Sequence, residues 1–291
     1  MKKVIIIAII GVIGIHMSCQ KNLPTETQTP PPIESKLLFK SGFESGVFID
    51  NTAYPNYRDY RYINGTDNET GFSWPIDILG ASGSGLHYID DDNQRAIKSE
   101  IATVIGHDGT STNALYSIEN YDLGITQCPY EILNIEEGDM DLYIRYWMKT
   151  DSASLFQPNM WRAIFEYKTE DYEQGDGFRL IAFIYADSDG QPYWHFQGDN
   201  NPQNPIWGID NRTVPVPINE WFLTEFYWRW SEGADGRALW KVNGRTIGEQ
   251  SGPTTLNSKP IDFIILTQIY GDSNPKHQWI DDIEIWDGIP E

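Results

Sequence analysis

The sequence predicts an all-β protein, a sandwich or barrel of antiparallel strands, and three features carry that prediction. Short aromatic and β-branched segments recur at 142–150, 161–168, 178–186, 193–197, 221–231, 238–243, 261–270 and 278–286. Clusters of Gly, Asn, Asp or Pro separate most of them, with Ser188-Asp189-Gly190 and Asp235-Gly236 as turn signals. No stretch after the N-terminal leader carries the apolar period of an amphipathic helix, and no internal repeat is found.

The chain opens on a leader. Met1-Lys2-Lys3 supplies positive charge, residues 4–15 are apolar apart from two glycines, and Ser18-Cys19 closes the run. This pattern predicts a secretory signal peptide over 1–18 and a lipoprotein-type site that leaves lipid on Cys19, although His16 stands where such sites usually carry Leu. The run is short for a bilayer-spanning helix. Residues 19–35, rich in Pro and Thr, predict a flexible tether. The globular domain is expected over 36–291, opening with Leu37-Leu38-Phe39 and Phe43-Glu44; residues 50–95 read as long loops with short strands. The expected location is the cell envelope, with the outer membrane reached through the lipid alone.

Composition narrows the partners. The net charge is −21, and without Lys2 and Lys3 it becomes −23, with 19 cations against 42 acids. Such a surface repels nucleic acid and anionic membrane. With Cys19 lipidated, Cys128 is left alone and no intramolecular disulfide forms. Eleven Trp and sixteen Tyr supply core packing and also rings that can stack on sugars.

Strand alternation sorts these side chains into faces. Along 142–150, Leu142, Ile144, Tyr146 and Met148 share one face and Tyr143, Arg145, Trp147 and Lys149 the other. Along 161–168, Arg162, Ile164, Glu166 and Lys168 fall together. Arg179 and Tyr185 share a face, as do Tyr193, His195 and Gln197. Phe222, Phe226, Trp228 and Trp230 read as core, leaving Glu225, Tyr227 and Arg229 outward; Gln268 and Tyr270 share a face. Gathered on one sheet, these polar faces would form a groove holding six of the 19 cations, a local positive site in an acidic chain. The plainer alternative is that they are ordinary solvated strand faces with paired charges.

Over roughly residues 95–286 the order of these segments resembles the jelly-roll polysaccharide lyases that act on alginate, heparin, glucuronan and ulvan. Ile97-Lys98-Ser99-Glu100-Ile101 occupies the place of an Arg-Ser/Thr-Glu motif, with Lys98 for Arg. The Gln-x-His strand is matched by Phe165-Glu166-Tyr167-Lys168, or in reversed order by Trp194-His195-Phe196-Gln197. Thr267-Gln268-Ile269-Tyr270 stands where the family has Gly-x-Tyr. Trp221, Trp240 and Asn243-Gly244 fit the general concanavalin-like pattern. The resemblance implies a single antiparallel β-sandwich of jelly-roll type. It also implies β-elimination next to a uronate: Arg179 or Arg229 neutralises the carboxylate, Lys168 or His195 takes the C5 proton, and Tyr270 protonates the leaving oxygen or serves as both acid and base. Arg145, Trp147, Lys149, Arg162, Glu166, Tyr185, Gln197, Glu225, Tyr227, Arg229, Gln268 and Lys98 would bind the glycan. No cofactor is expected for catalysis.

Glu44 near the start and Asp281-Asp282 near the end resemble the paired terminal strands of sandwich domains that hold a structural Ca²⁺, and their oxygen ligands suit that ion. Two other functions stay open at this stage. One is a glycan-binding lipoprotein without catalysis, favoured by the motif departures. The other is a sandwich glycoside hydrolase using Glu166 and Glu225 as facing carboxylates. The acidic run 136–141 is interrupted by Gly138 and reads as a loop. No Ser-His-Asp order, phosphate loop or His/Cys metal spacing occurs.

Overall fold

The computed structural model describes residues 35–50, 60–76, 85–87, 89–90, 96–120, 131–133, 141–152, 155–169, 172, 175, 177–200, 205–256, 261–265, 271 and 276–290. Cys19, Gln268 and Tyr270 lie outside the described residues. The compact unit is Glu34–Glu291. Its strands in chain order are β1 (Leu37–Ser41), β2 (Val47–Asp50), β3 (Tyr60–Thr66), β4 (Ser73–Trp74), β5 (Gly85–His87), β6 (Ile89–Asp90), β7 (Ala96–Ile105), β8 (Ser111–Asn120), β9 (Glu131–Leu133) and β10 (Asp141–Thr150). The series continues with β11 (Trp161–Thr169), β12 (Arg179–Ala186), β13 (Pro192–Asp199), β14 (Pro205–Asn211), β15 (Phe222–Arg229), β16 (Arg237–Val242), β17 (Arg245–Ser251), β18 (Ile261–Ile265) and β19 (Lys276–Trp286). No α-helix occurs among the described residues. The molecule is the expected antiparallel jelly roll.

Two sheets make the sandwich. One has nine strands in the order β17-β16-β15-β10-β19-β8-β7-β6, with β1 paired to β19; the other has six, β14-β13-β12-β11-β18-β9. A smaller sheet of β2, β3, β4 and β5 stands beside them. Alternation sends Tyr167, Leu180, Trp194 and Phe196 inward from the six-stranded sheet, and Tyr146, Phe226, Trp228 and Trp240 inward from the nine-stranded one. Phe165 stacks on Phe226 at 3.7 Å and 7°, and Trp194 meets Trp240 edge-on at 5.2 Å. Such ring pairs add about 0.5–1.5 kcal/mol each beyond the area they bury. Trp240 satisfies its indole N–H on Thr224 Oγ1 at 2.9 Å. Opposite them Gly198 makes room for an indole: a Cβ there would lie 2.4 Å from Trp207, which reaches Phe196 at 5.2 Å.

One predicted face is broken by a bulge. In β11 the register to β12 shifts between Ala163 and Phe165, so Ile164 and Phe165 both face the core. Arg162 therefore lies on the side opposite Glu166 and Lys168. It is fully buried, donates from Nη2 to the His277 carbonyl at 2.9 Å, and sits 3.5 Å from Asp151. Arg162 ties the two sheets together and has no surface for a glycan, which corrects its expected binding role.

Candidate active site

The polar groups expected on one sheet divide between the two outer faces of the sandwich. Arg145, Trp147, Lys149, Glu225, Tyr227 and Arg229 stand on β10 and β15 of the nine-stranded sheet; Glu166, Lys168, Arg179, Tyr185, His195 and Gln197 stand on β11, β12 and β13 of the six-stranded sheet. The single cationic groove is thus not formed. Lys98 lies in β7 across from Ile118, in the nine-stranded sheet.

On the nine-stranded face the cations are engaged locally. Arg145 holds Glu284 at 2.7 Å, Arg229 holds Asp141 at 2.6 Å, and Lys149 lies 5.4 Å from the Trp279 ring. Trp147 stacks on His107 at 3.9 Å. Tyr227 donates to Asp141, and Glu225 accepts from Tyr143. Glu225 and Glu166 point away from each other across the whole core, so they cannot flank one glycosidic bond; the glycosidase pair is excluded.

The six-stranded face carries a connected polar row. Register places Lys168, Arg179 and Asp199 side by side on β11, β12 and β13, and Phe183, His195 and Asp210 side by side on β12, β13 and β14. Asp199, fully buried, accepts from Arg179 Nε and Nη2 at 3.2 and 3.0 Å, from Gln197 Nε2 at 2.7 Å and from the Tyr172 hydroxyl at 2.6 Å. Glu166 faces Lys168 at 3.3 Å and Arg179 at 4.0 Å. Gln197 Oε1 meets His195 Nε2 at 3.0 Å, and His195 Nδ1 meets Asp210 Oδ1 at 2.6 Å. Tyr185 stacks on the imidazole at 4.7 Å and 7°.

Beside the row lies an apolar patch of Ala163, Ile181 and Phe183, with Trp161 and Tyr185 against it. Burial, reinforced by Tyr193 and opposed by Arg179, pushes the Tyr185 phenol up to about 12. Burial and the bond to Asp199 likewise raise the Tyr172 phenol, against the pull of Arg179. Both phenols keep their protons near neutral pH, and Tyr172 donates its own to Asp199. Tyr172, Asp199 and Asp210 were not among the expected site residues. Continuing the alternation His195, Gln197 by one step points to Asp199; nothing in the sequence pattern points to Tyr172.

A separate acidic cleft of about 480 Å³ lies between β1, the 106–112 turn and β19. Glu44, Asp281 and Asp282 all line it, with Asp67 and Asp108. Around Asp281–Ile283 the pairing of β19 with β10 shifts, and Asp282 takes a positive φ of 49°, a conformation Asp tolerates better than most residues. Burial, then Asp282 and Glu44, push the Asp281 carboxyl up to about 8. Glu44 accepts from Thr112 Oγ1 at 2.6 Å and the Asn113 amide at 3.1 Å, and Asp282 pairs with His107 at 3.0 Å. Among the described residues no three His, Cys, Asp or Glu groups are gathered as a ligand cluster.

No family model and no curated protein matches the sequence. Solved structures do. Alginate lyase Aly36B superposes with a TM-score of 0.50 at 15% identity, over 64% of this chain and 82% of that chain. A mutant of that enzyme in complex with alginate tetrasaccharide gives 0.50 at 15%, over 66% and 84%. The fold is that of these jelly-roll polysaccharide lyases. The endo-β-1,4-glucuronan lyase of the fungus Trichoderma reesei gives 0.47 at 15%, over 69% and 90%. At these identities the likeness is one of fold.

Proposed function

We propose that the protein is a polysaccharide lyase that cleaves a uronate-containing glycan by β-elimination on the outer face of the six-stranded sheet. The carrying observation is the polar row in which Lys168 and Arg179 both face Glu166, and hydrogen bonds run from Arg179 through Asp199 and Gln197 to His195. A fold neighbour whose structure holds alginate tetrasaccharide lends it a substrate class. The C5 proton becomes acidic enough to leave only when its carboxylate is neutralised, and Arg179 and Gln197 supply charged and neutral donors for that. Lys168 supplies the nitrogen base of the row, and His195 lies further along it. Tyr270 takes the acid role that the family resemblance gives it.

Ultraviolet absorbance of the unsaturated product, followed on alginate, glucuronan, ulvan and heparin-type glycans, tests this. A rise on any one of them supports the lyase. Tight binding to one with no rise on any would replace it by the second reading, a glycan-binding protein. That second reading is favoured by one observation: Lys168 and Arg179 already face Glu166 and Asp199, so a glycan carboxylate must compete with them.

Two attachments complete the proposal. Lipid on Cys19 holds the domain at the cell envelope, and Cys19→Ala should release it from the membrane fraction. A structural Ca²⁺ would need Asp281, Asp282 and Glu44, which line the acidic cleft without standing as a three-ligand cluster, to converge on it, and such a cation would relieve the crowding of Asp281 by its acidic neighbours.

A further inference from the structure

We infer that His195 donates from both ring nitrogens, locked by a relay running Asp199–Gln197–His195–Asp210, and therefore positions the groove without taking the substrate proton. Its catalytic meaning rests on the lyase reading above; the hydrogen-bond assignment does not.

The assignment starts at Asp199. A carboxylate facing Arg179 has only lone pairs to offer. Its Oδ2 takes two bonds from that guanidinium, and its Oδ1 takes the Tyr172 hydroxyl. The Gln197 group 2.7 Å from Oδ2 must then be the amide nitrogen. That fixes which end of the amide faces Asp199. Gln197 Oε1 consequently faces His195 Nε2 at 3.0 Å, and an amide oxygen only accepts, so Nε2 carries a hydrogen.

The other nitrogen meets a second acceptor. His195 Nδ1 is 2.6 Å from Asp210 Oδ1, on a half-exposed carboxylate. Two lone pairs cannot face each other at that separation, and charge-assisted N–H···O contacts are the short ones. The proton lies on Nδ1, and the ring is an imidazolium between Gln197 and Asp210. The groups facing it from neighbouring strands agree. Tyr185 of β12 covers one face at 4.7 Å, an arrangement favourable to a cation. Gly208 of β14 leaves room at the ring edge, where a Cβ would come within 3.2 Å of Cε1. Asp199 and Asp210 are the carboxylates along this stretch of the row, and Tyr193 stands next to Tyr185.

A ring with both nitrogens donating has no lone pair for the C5 proton. In the proposed elimination the acceptor is then Lys168 or Tyr270, and His195 contributes fixed positive charge beside the uronate.

Two-bond ¹H–¹⁵N correlation spectra of the full-length ¹⁵N-labelled protein test the assignment without any substrate. The five histidines are told apart with a His195→Gln sample. Both His195 nitrogens should show the protonated signature at neutral pH. In Asp210→Asn, Nδ1 should lose its proton while Nε2 keeps its own, because Gln197 is unchanged. A wild-type spectrum with one bare His195 nitrogen overturns the inference, whatever the lyase assays show. Conversely, a doubly protonated ring in a protein inactive on every uronate glycan would sink the lyase reading and leave the relay standing.

Discussion

Phe165 and Phe226 stack face to face at 3.7 Å across the two sheets, and each precedes or follows a glutamate in sequence. Because side chains alternate along a strand, inward Phe165 and Phe226 send Glu166 and Glu225 out through opposite sides of the sandwich. Chemistry on the six-stranded face therefore separates the two acids. Glu225→Gln should leave glycan turnover at the wild-type rate, whereas Glu166→Gln, which loosens Lys168 and Arg179, should lower it. Equal losses in both variants, measured as initial rates on a confirmed glycan, would contradict this division of faces.

Asp199 and Arg179 form a buried pair whose partners depend on each other. Removing one member strands the other charge, at a cost of about 3–5 kcal/mol. Asp199→Asn should lower the unfolding free energy read from a urea titration by that amount. Arg179→Met combined with Asp199→Leu should recover part of the loss, since no charge is left uncompensated. A single variant as stable as the wild type would mean that the pair opens to water in solution.

Lys168 stands at the end of the row, 3.3 Å from Glu166 and 5.0 Å from the Tyr172 ring. If it is the proton acceptor, Lys168→Gln should cut turnover by roughly 10²–10⁴-fold, the scale of a lost acid–base group. Glycan affinity should change much less. Unchanged turnover on a confirmed substrate would pass the role to Tyr270, where Tyr270→Phe makes the matching test.

The strands were legible because aromatic and β-branched runs bounded by turn residues leave few alternatives. The predicted segment 142–150 corresponds to β10, Asp141–Thr150, and 278–286 falls within β19, Lys276–Trp286. The faces within most strands were legible too: Leu142, Ile144, Tyr146 and Met148 are all buried. What alternation cannot report is a bulge, and the one before Phe165 turned Arg162 inward. Nor does it say which sheet a strand joins. Arg145 and Lys168 look equivalent in sequence, yet β10 and β11 belong to different sheets. Asp210 was missed for a third reason: β14 is an edge strand whose exposed side carries Ile206 and Gly208 beside Asp210, so its residue types do not alternate although its exposure does.

The acidic cleft gives a pH dependence of opposite sign to the usual carboxylate. Burial, Asp282 and Glu44 push Asp281 up to about 8 from an ordinary 3.8. The folded protein thus holds this proton more tightly than the unfolded chain does. Its contribution to stability is complete below the ordinary value and is lost as pH rises through about 8. In chelator-treated protein the Tm should fall across that range, and Asp281→Asn should remove that part of the fall. Added Ca²⁺ should reverse the loss, most strongly at the alkaline end where Asp281 is ionised, because the ion competes with the proton for the same oxygens. A Tm that ignores both chelator and Ca²⁺ while still falling with pH would keep the strained carboxyl and discard the metal. A flat profile in chelator would discard the strain as well.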